Sequence, residues 1–282
     1  LLPLGNDVRH IVVTGPMADA PYDQLGTWSL DGDKSCTVTP LAAMREMLPE
    51  NIRLDYIPVL DYPRDENTTG FKHLRKAAKN ADVVIAFVGE EQMMSGEAHS
   101  LSSLHLQGHQ TELLREIAES GTPLVTVVMA GRPLVMDEVT SLSSSLLYMW
   151  HPGTMGGPAI VNLLWGRACP SAKLPVTFPR NEGQIPMYYN HKHTSHIAKG
   201  TEGDLSRVPR EKPQSVMGHT SSYLDVPPTP QFPFGFGLTY TKFEIGSPQL
   251  ESTEVNLDGI LKVSVELGNV GKMQGADVLQ FY

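Results

Sequence analysis

Val83-Val84-Ile85-Ala86-Phe87-Val88 is the stretch on which the fold turns. All six side chains are apolar, so a strand here offers water neither face, as in the interior of a parallel sheet. Phe71 to Asn80 before it reads as a basic amphipathic helix. His109 to Ser120 after it reads as another, with Leu113, Leu114 and Ile117 on its inner face and Gly121 ending it. Leu124 to Met129 and Leu146 to Trp150 are two further strands, followed by a helix over Ala159 to Trp165. Towards the N-terminus, Ile52 to Ile57 and Ile11 to Thr14 are strands, the latter closed by Gly15-Pro16. Between them Thr39-Pro40 starts a helix running to Leu48, with a capping hydroxyl and proline at the first helical position. Repeated strand–helix units of this length predict an α/β class: a largely parallel sheet flanked by helices, an α/β sandwich. Such sheets meet ligands at the carboxyl ends of their strands. The loop after Val88 is therefore the first place to look for chemistry.

The pattern changes after Tyr189. From about Asn190 to Gln231 histidine, proline and polar residues dominate and no period persists, which predicts a long surface excursion. Beyond Phe234 the period falls to two: Leu261, Val263, Val265 and Leu267 alternate with Lys262, Ser264 and Glu266, as in a half-buried strand. Ala276 to Tyr282 begins another apolar run. Two or three strands make an incomplete β-sandwich, because both sheets are needed to cover its core. The expected division is residues 1–189 for the α/β domain, 190–240 for a connector packed on it, and 241–282 for the start of the β-sandwich. Leu1 is not a natural initiator and the β-sandwich is incomplete, so both ends are expected to be truncated.

Composition narrows the partners. A formal charge of −9 disfavours the phosphate backbone, so no nucleic acid is expected. No apolar run is long enough to span a bilayer, and no membrane association is expected. The two cysteines, Cys36 and Cys169, are expected to be buried free thiols. Asn67-Thr68-Thr69 fits a glycosylation acceptor, relevant only in a eukaryotic secretory setting.

The loop Gly89-Glu90-Glu91-Gln92-Met93-Met94-Ser95-Gly96-Glu97-Ala98-His99-Ser100 carries three carboxylates between glycines. Its residues alone allow a solvated acidic loop, or a general acid/base glutamate whose pKa a partly apolar site would raise. His191, His193 and His196 have metal-like spacing but no carboxylate or cysteine nearby, so no metal is expected. Gly153-Thr154-Met155-Gly156-Gly157 lacks the lysine of a phosphate loop, and Ser100, Ser102 and Ser103 lack a nucleophile elbow. Of Trp28, Trp150 and Trp165, Trp165 reads as core, whereas Trp150, at a strand end before a turn, is the better ligand candidate.

A series of short motifs runs through the chain. Gly15-Pro16-x-Ala18-Asp19 and Leu25-Gly26-x-Trp28 come first, then Gly89-Glu90, Ser95-Gly96-Glu97-Ala98 and Leu106-x-Gly108-x-Gln110. Gly131-Arg132-Pro133-Leu134 and Trp150-x-Pro152-Gly153-x-x-Gly156-Gly157 follow. Ser171-Ala172-Lys173-Leu174-Pro175-Val176-Thr177-Phe178-Pro179-Arg180, Gln184-Ile185-Pro186-Met187-Tyr188-Tyr189 and Phe232-Pro233-Phe234-Gly235-Phe236-Gly237-Leu238-Thr239-Tyr240 complete the series. In order and spacing this resembles the C-terminal part of family 3 glycoside hydrolases, the β-glucosidase and β-xylosidase group, over nearly the whole chain.

The resemblance implies a retaining β-glucosidase acting on short β-linked oligosaccharides or aryl β-glucosides, with no cofactor. It assigns the acid/base role to Glu97, with Glu90 and Glu91 as lesser candidates, and makes Ser95, His99 and Trp150 candidate substrate-binding residues. In that family the nucleophile is an aspartate on a preceding (β/α)8 domain, absent from this chain, and a fibronectin-III-like domain follows the α/β domain. Periplasmic or extracellular residence is implied too; oligomeric state is left open, a homodimer included. The chain departs from the family pattern at Leu101, Gln107, Met155 and His193-Thr194-Ser195-His196. The alternatives are a β-xylosidase, or a non-catalytic carbohydrate-binding homologue.

Overall fold

The computed structural model describes residues 1–190, 205–213 and 223–281. Five strands, β1 (His10–Thr14), β2 (Arg53–Tyr56), β3 (Val83–Gly89), β4 (Leu124–Met129) and β5 (Ser145–Tyr148), form one sheet in the order β2-β1-β3-β4-β5. Every pair in it is parallel. β3 and β4 are buried along their whole length, whereas the edge strands β2 and β5 are only partly so. The uninterrupted apolar run at Val83 thus marks a central strand.

The two faces of the sheet follow from the alternation of side chains along each strand. Val84, Ala86 and Val88 meet α2 (Phe71–Ala78) and α3 (Gln110–Ala118) through Phe71, Leu74, Leu113, Leu114 and Ile117. Val83, Ile85 and Phe87 meet α1 (Pro40–Met47) and α5 (Gly156–Leu164) through Leu41, Met44, Ile160 and Leu164. The Thr39 hydroxyl accepts from the Ala42 amide at 3.3 Å, the cap expected of Thr39-Pro40.

Several elements differ from the sequence reading. α5 begins at Gly156, three residues before the expected Ala159, because the glycine pair, weak in helix propensity, is anchored by the Gly157 amide donating to the Val38 carbonyl. A short α4 (Asp137–Leu142) was not expected; it buries only Val139 and is too short to show a helical period. Cys36 and Cys169 are both free, but Cys36 is exposed and Cys169 half-buried rather than buried.

The C-terminal strands depart furthest. β6 (Phe243–Ile245) pairs antiparallel with β9 (Leu267–Asn269), and β7 (Gln249–Leu250) with β8 (Val263–Ser264). The expected strand over 261–267 is thus split between two ribbons. Its apolar face is exposed, with Leu261 at 45% and Val263 at 42%, because no second sheet covers it among the described residues. Half-burial needs a layer on the other side, which a period-two pattern cannot itself supply.

The strand order reverses direction between β1 and β3, and crevices form at such points beyond the carboxyl ends of the strands. Gly15 sits there with φ +95, and a Cβ on it would lie 2.1 Å from the Phe87 carbonyl oxygen. Gly15→Ala is expected to cost more than about 2 kcal/mol, combining a strained backbone with a steric clash. Its urea midpoint measures this, and an unchanged midpoint would contradict the close approach of β1 and β3.

Candidate active site

The loop leaving β3 is tied down almost residue by residue. Gln110, fully buried, grips its start: its side-chain oxygen accepts from the Gly89 amide at 2.8 Å, and its nitrogen donates to the Gly89 and Pro63 carbonyls at 2.9 and 3.0 Å. Glu90 turns inward and is 1% exposed. Its carboxylate pairs with Arg132 Nε at 3.0 Å and accepts from the Gly131 amide at 3.2 Å. Burial pushes the Glu90 carboxyl above the usual range, against the opposing pull of Arg132. Glu91 points to the other side, where the Arg64 fork reaches it at 2.6 and 3.3 Å.

The next segment is laced to the loop after β1. The Gln92 side chain donates to the Gly26 carbonyl at 2.6 Å and its amide donates to Asp23 at 2.9 Å. The Thr27 hydroxyl bonds to the Gln92 carbonyl and, at 2.6 Å, to that of Ser95. Asp23, raised in pKa chiefly by burial, is a carboxylate of this region that motif reading did not single out.

Glu97 stands at the crest of a strained turn. Gly96 before it has φ +117 and Ala98 after it φ +62, and the turn is closed by the His99 amide donating to the Gly96 carbonyl at 3.2 Å. A left-handed alanine costs about 1–2 kcal/mol and persists only where surrounding contacts over-determine it. Here those contacts come from Arg132, whose Nη2 donates to the Met94 carbonyl and, at 3.1 Å, to that of His99. Glu97 itself is exposed. Of the three glutamates, it alone is exposed with no arginine against it among the described residues.

The other expected site residues have different settings. Ser95 is buried, its hydroxyl 3.1 Å from Thr27 Oγ1 and 3.4 Å from His151 Nε2. His99 has an exposed side chain and holds the loop through its carbonyl. Trp150 is half-buried. It packs edge-on against Tyr148 and Phe178, at 5.0 and 6.0 Å between centroids, because its φ of +53 turns the chain after β5. Trp28, on the loop that Gln92 and Thr27 fasten, is 66% exposed. His191, His193 and His196 lie outside the described residues, and among the described residues no metal-like cluster forms.

His151 gives the site a pH signature. Burial lowers its pKa below the ordinary value. Below about pH 6.5 the unfolded chain therefore binds a proton that the folded chain resists, so this contribution to stability is complete above that pH and lost as pH falls. Urea midpoints between pH 7.5 and 5.5 are expected to fall more for the parent chain than for His151→Gln. Equal falls would contradict the reading.

Residues 1–240 match the family described as Glycosyl hydrolase family 3 C-terminal domain. The chain is 36% identical over 291 residues to a periplasmic β-glucosidase of Salmonella typhimurium, covering 96% of this chain and 36% of that protein. It is 32% identical over 287 residues to a β-xylosidase of Formosa agariphila, covering 100% of this chain and 37% of that protein. Among solved structures, the β-glucosidase from Listeria innocua in complex with gluconolactone superposes with a TM-score of 0.83 at 32% identity, over 98% of this chain and 35% of that one. The chain thus spans roughly a third of the length of the relatives it matches. Sequence and fold agree: the chain belongs to glycosyl hydrolase family 3 and carries its C-terminal domain.

Proposed function

We propose that this chain is the acid/base half of a retaining β-glucosidase that removes terminal β-glucosyl residues from short oligosaccharides or aryl β-glucosides. The observation that carries this reading is the exposed Glu97 on a braced turn at the carboxyl edge of the sheet, its two neighbouring glutamates each held by an arginine. Glu97 donates its proton to the glycosidic oxygen as the bond to C1 breaks. An aspartate on a (β/α)8 domain outside this chain attacks C1 from the opposite face, about 5–5.5 Å from Glu97. Glu97 then takes a proton from the water that attacks C1, and the aspartate leaves as a carboxylate.

Within this reading His99 and Trp28 border the sugar, while Ser95 and Trp150 shape the site from behind. Residues 1–189 form the site-bearing α/β domain, 190–240 a connector, and 241–282 the first strands of a fibronectin-III-like domain. A periplasmic or extracellular setting suits such substrates and accords with the Salmonella relative. The Formosa relative, aligned over the whole chain, favours a second substrate, a β-xyloside. Hydrolysis of 4-nitrophenyl β-glucoside by the chain alone, and by the chain joined to its barrel domain, tests the division of labour. Turnover is expected only with the barrel. Substantial turnover by the chain alone would overturn it, and sugar binding without turnover in the joined protein would favour the non-catalytic alternative.

A further inference from the structure

We propose that Arg132 is a positioning residue for Glu97, a role that rests on the acid/base reading above. One guanidinium nitrogen, Nη2, donates to the carbonyls of Met94 and His99, which bracket Glu97 in sequence. Those two carbonyls enclose the left-handed Ala98 and the positive-φ Gly96, so Arg132 spans the strained turn from end to end. The guanidinium is itself immobilised. Glu90 pairs with its Nε from within the core, while the Tyr148 hydroxyl, donating to the Arg132 backbone carbonyl, fixes the main chain that carries the side chain. The Arg132 side chain is 15% and the Glu90 side chain 1% exposed, so water competes little for either.

This arrangement explains why a charged pair is buried beneath the site. A lysine could neutralise Glu90, but it lacks the planar fork that reaches Glu90 and both loop carbonyls at once. Without that fork the turn is free to relax its strain, and the Glu97 carboxyl moves with it. A misplacement of about 1 Å in a reacting group can cost about 100-fold in rate. The cost falls on proton donation to the leaving group, because attack at C1 is made by a different residue.

The test compares phenyl β-glucoside, whose departure needs a proton, with 2,4-dinitrophenyl β-glucoside, whose departure does not. Both are hydrolysed by the chain joined to its barrel domain, as parent, Arg132→Lys, Glu90→Gln/Arg132→Met and Glu97→Gln. The glycosylation step, followed as kcat/KM, is expected to fall about 10- to 100-fold on the phenyl substrate in both Arg132 variants, and to stay within about threefold on the dinitrophenyl one. A merely structural role lowers both substrates together, and that result would overturn the proposal. The double variant carries no orphaned charge, so it decides the matter where Arg132→Lys folds poorly. If Glu97→Gln shows the leaving-group difference and the Arg132 variants do not, only the positioning role fails. If Glu97→Gln shows none, the acid/base reading fails and the positioning role with it.

Discussion

Glu97→Gln, in the chain joined to its barrel domain, is expected to lower turnover of unactivated β-glucosides by about 10²- to 10⁴-fold, the usual contribution of one positioned acid/base. The amide keeps the size of the side chain and removes its charge and its capacity to give and take a proton near neutral pH. Folding should be unaffected, because Glu97 is exposed and its turn is held through backbone carbonyls rather than through its own carboxyl. Glycosylation by a dinitrophenyl glucoside should be far less affected, since that leaving group departs as an anion. Glu91→Gln serves as the comparison: its carboxylate is taken up by the Arg64 fork, and its loss should change turnover little. A large, leaving-group-dependent loss at Glu91 instead would move the acid/base assignment there.

Arg132→Met is expected to destabilise the domain by about 3–5 kcal/mol, because it strands the Glu90 carboxylate in the core. Glu90 already sits above its ordinary pKa through burial, with Arg132 supplying the main opposing attraction. Removing that attraction raises it further, so Glu90 is held neutral in the fold while ionised in the unfolded chain. The penalty therefore grows as pH rises above the unfolded value near 4.3. For a domain of this size it corresponds to a fall in Tm of roughly 10 °C. Replacing both partners, as Glu90→Gln/Arg132→Met, should recover much of the loss by removing the buried charge. A double variant no more stable than Arg132→Met would show that the pair is not coupled as its geometry implies.

The sheet was legible because its signal is local. The apolar runs at Ile11, Val83 and Leu124 each exceed what an amphipathic strand would show, and the helices between them carry their apolar stripes in sequence. The candidate loop was legible from its place after the strongest strand and from the Ser95-Gly96-Glu97-Ala98 motif. What braces the loop was not. Arg132, Thr27 and Gln110 reach it through bonds to backbone atoms, and His151 through the Ser95 hydroxyl, from 21 to 68 positions away along the chain, where no local side-chain pattern encodes the contact. The surroundings of Trp150 were equally out of reach: its backbone φ of +53 and its edge contact with Phe178 come from tertiary packing. Of the period-two run at Leu261 to Leu267 only Val263–Ser264 and Leu267 are strand, and Leu261 and Val263 are exposed, because burial depends on a covering layer that the run itself cannot encode.

Azide rescue of Glu97→Gln, in the chain joined to its barrel domain and with 2,4-dinitrophenyl β-glucoside as substrate, tests the split-site account most directly. Without its base the variant should accumulate a glycosyl-enzyme, because water is no longer activated for attack at C1. Azide needs no deprotonation, so it should accelerate turnover and yield β-glucosyl azide as the outside aspartate departs. Turnover unchanged by azide, with water-derived glucose still forming at the parent rate, would contradict Glu97 as the acid/base.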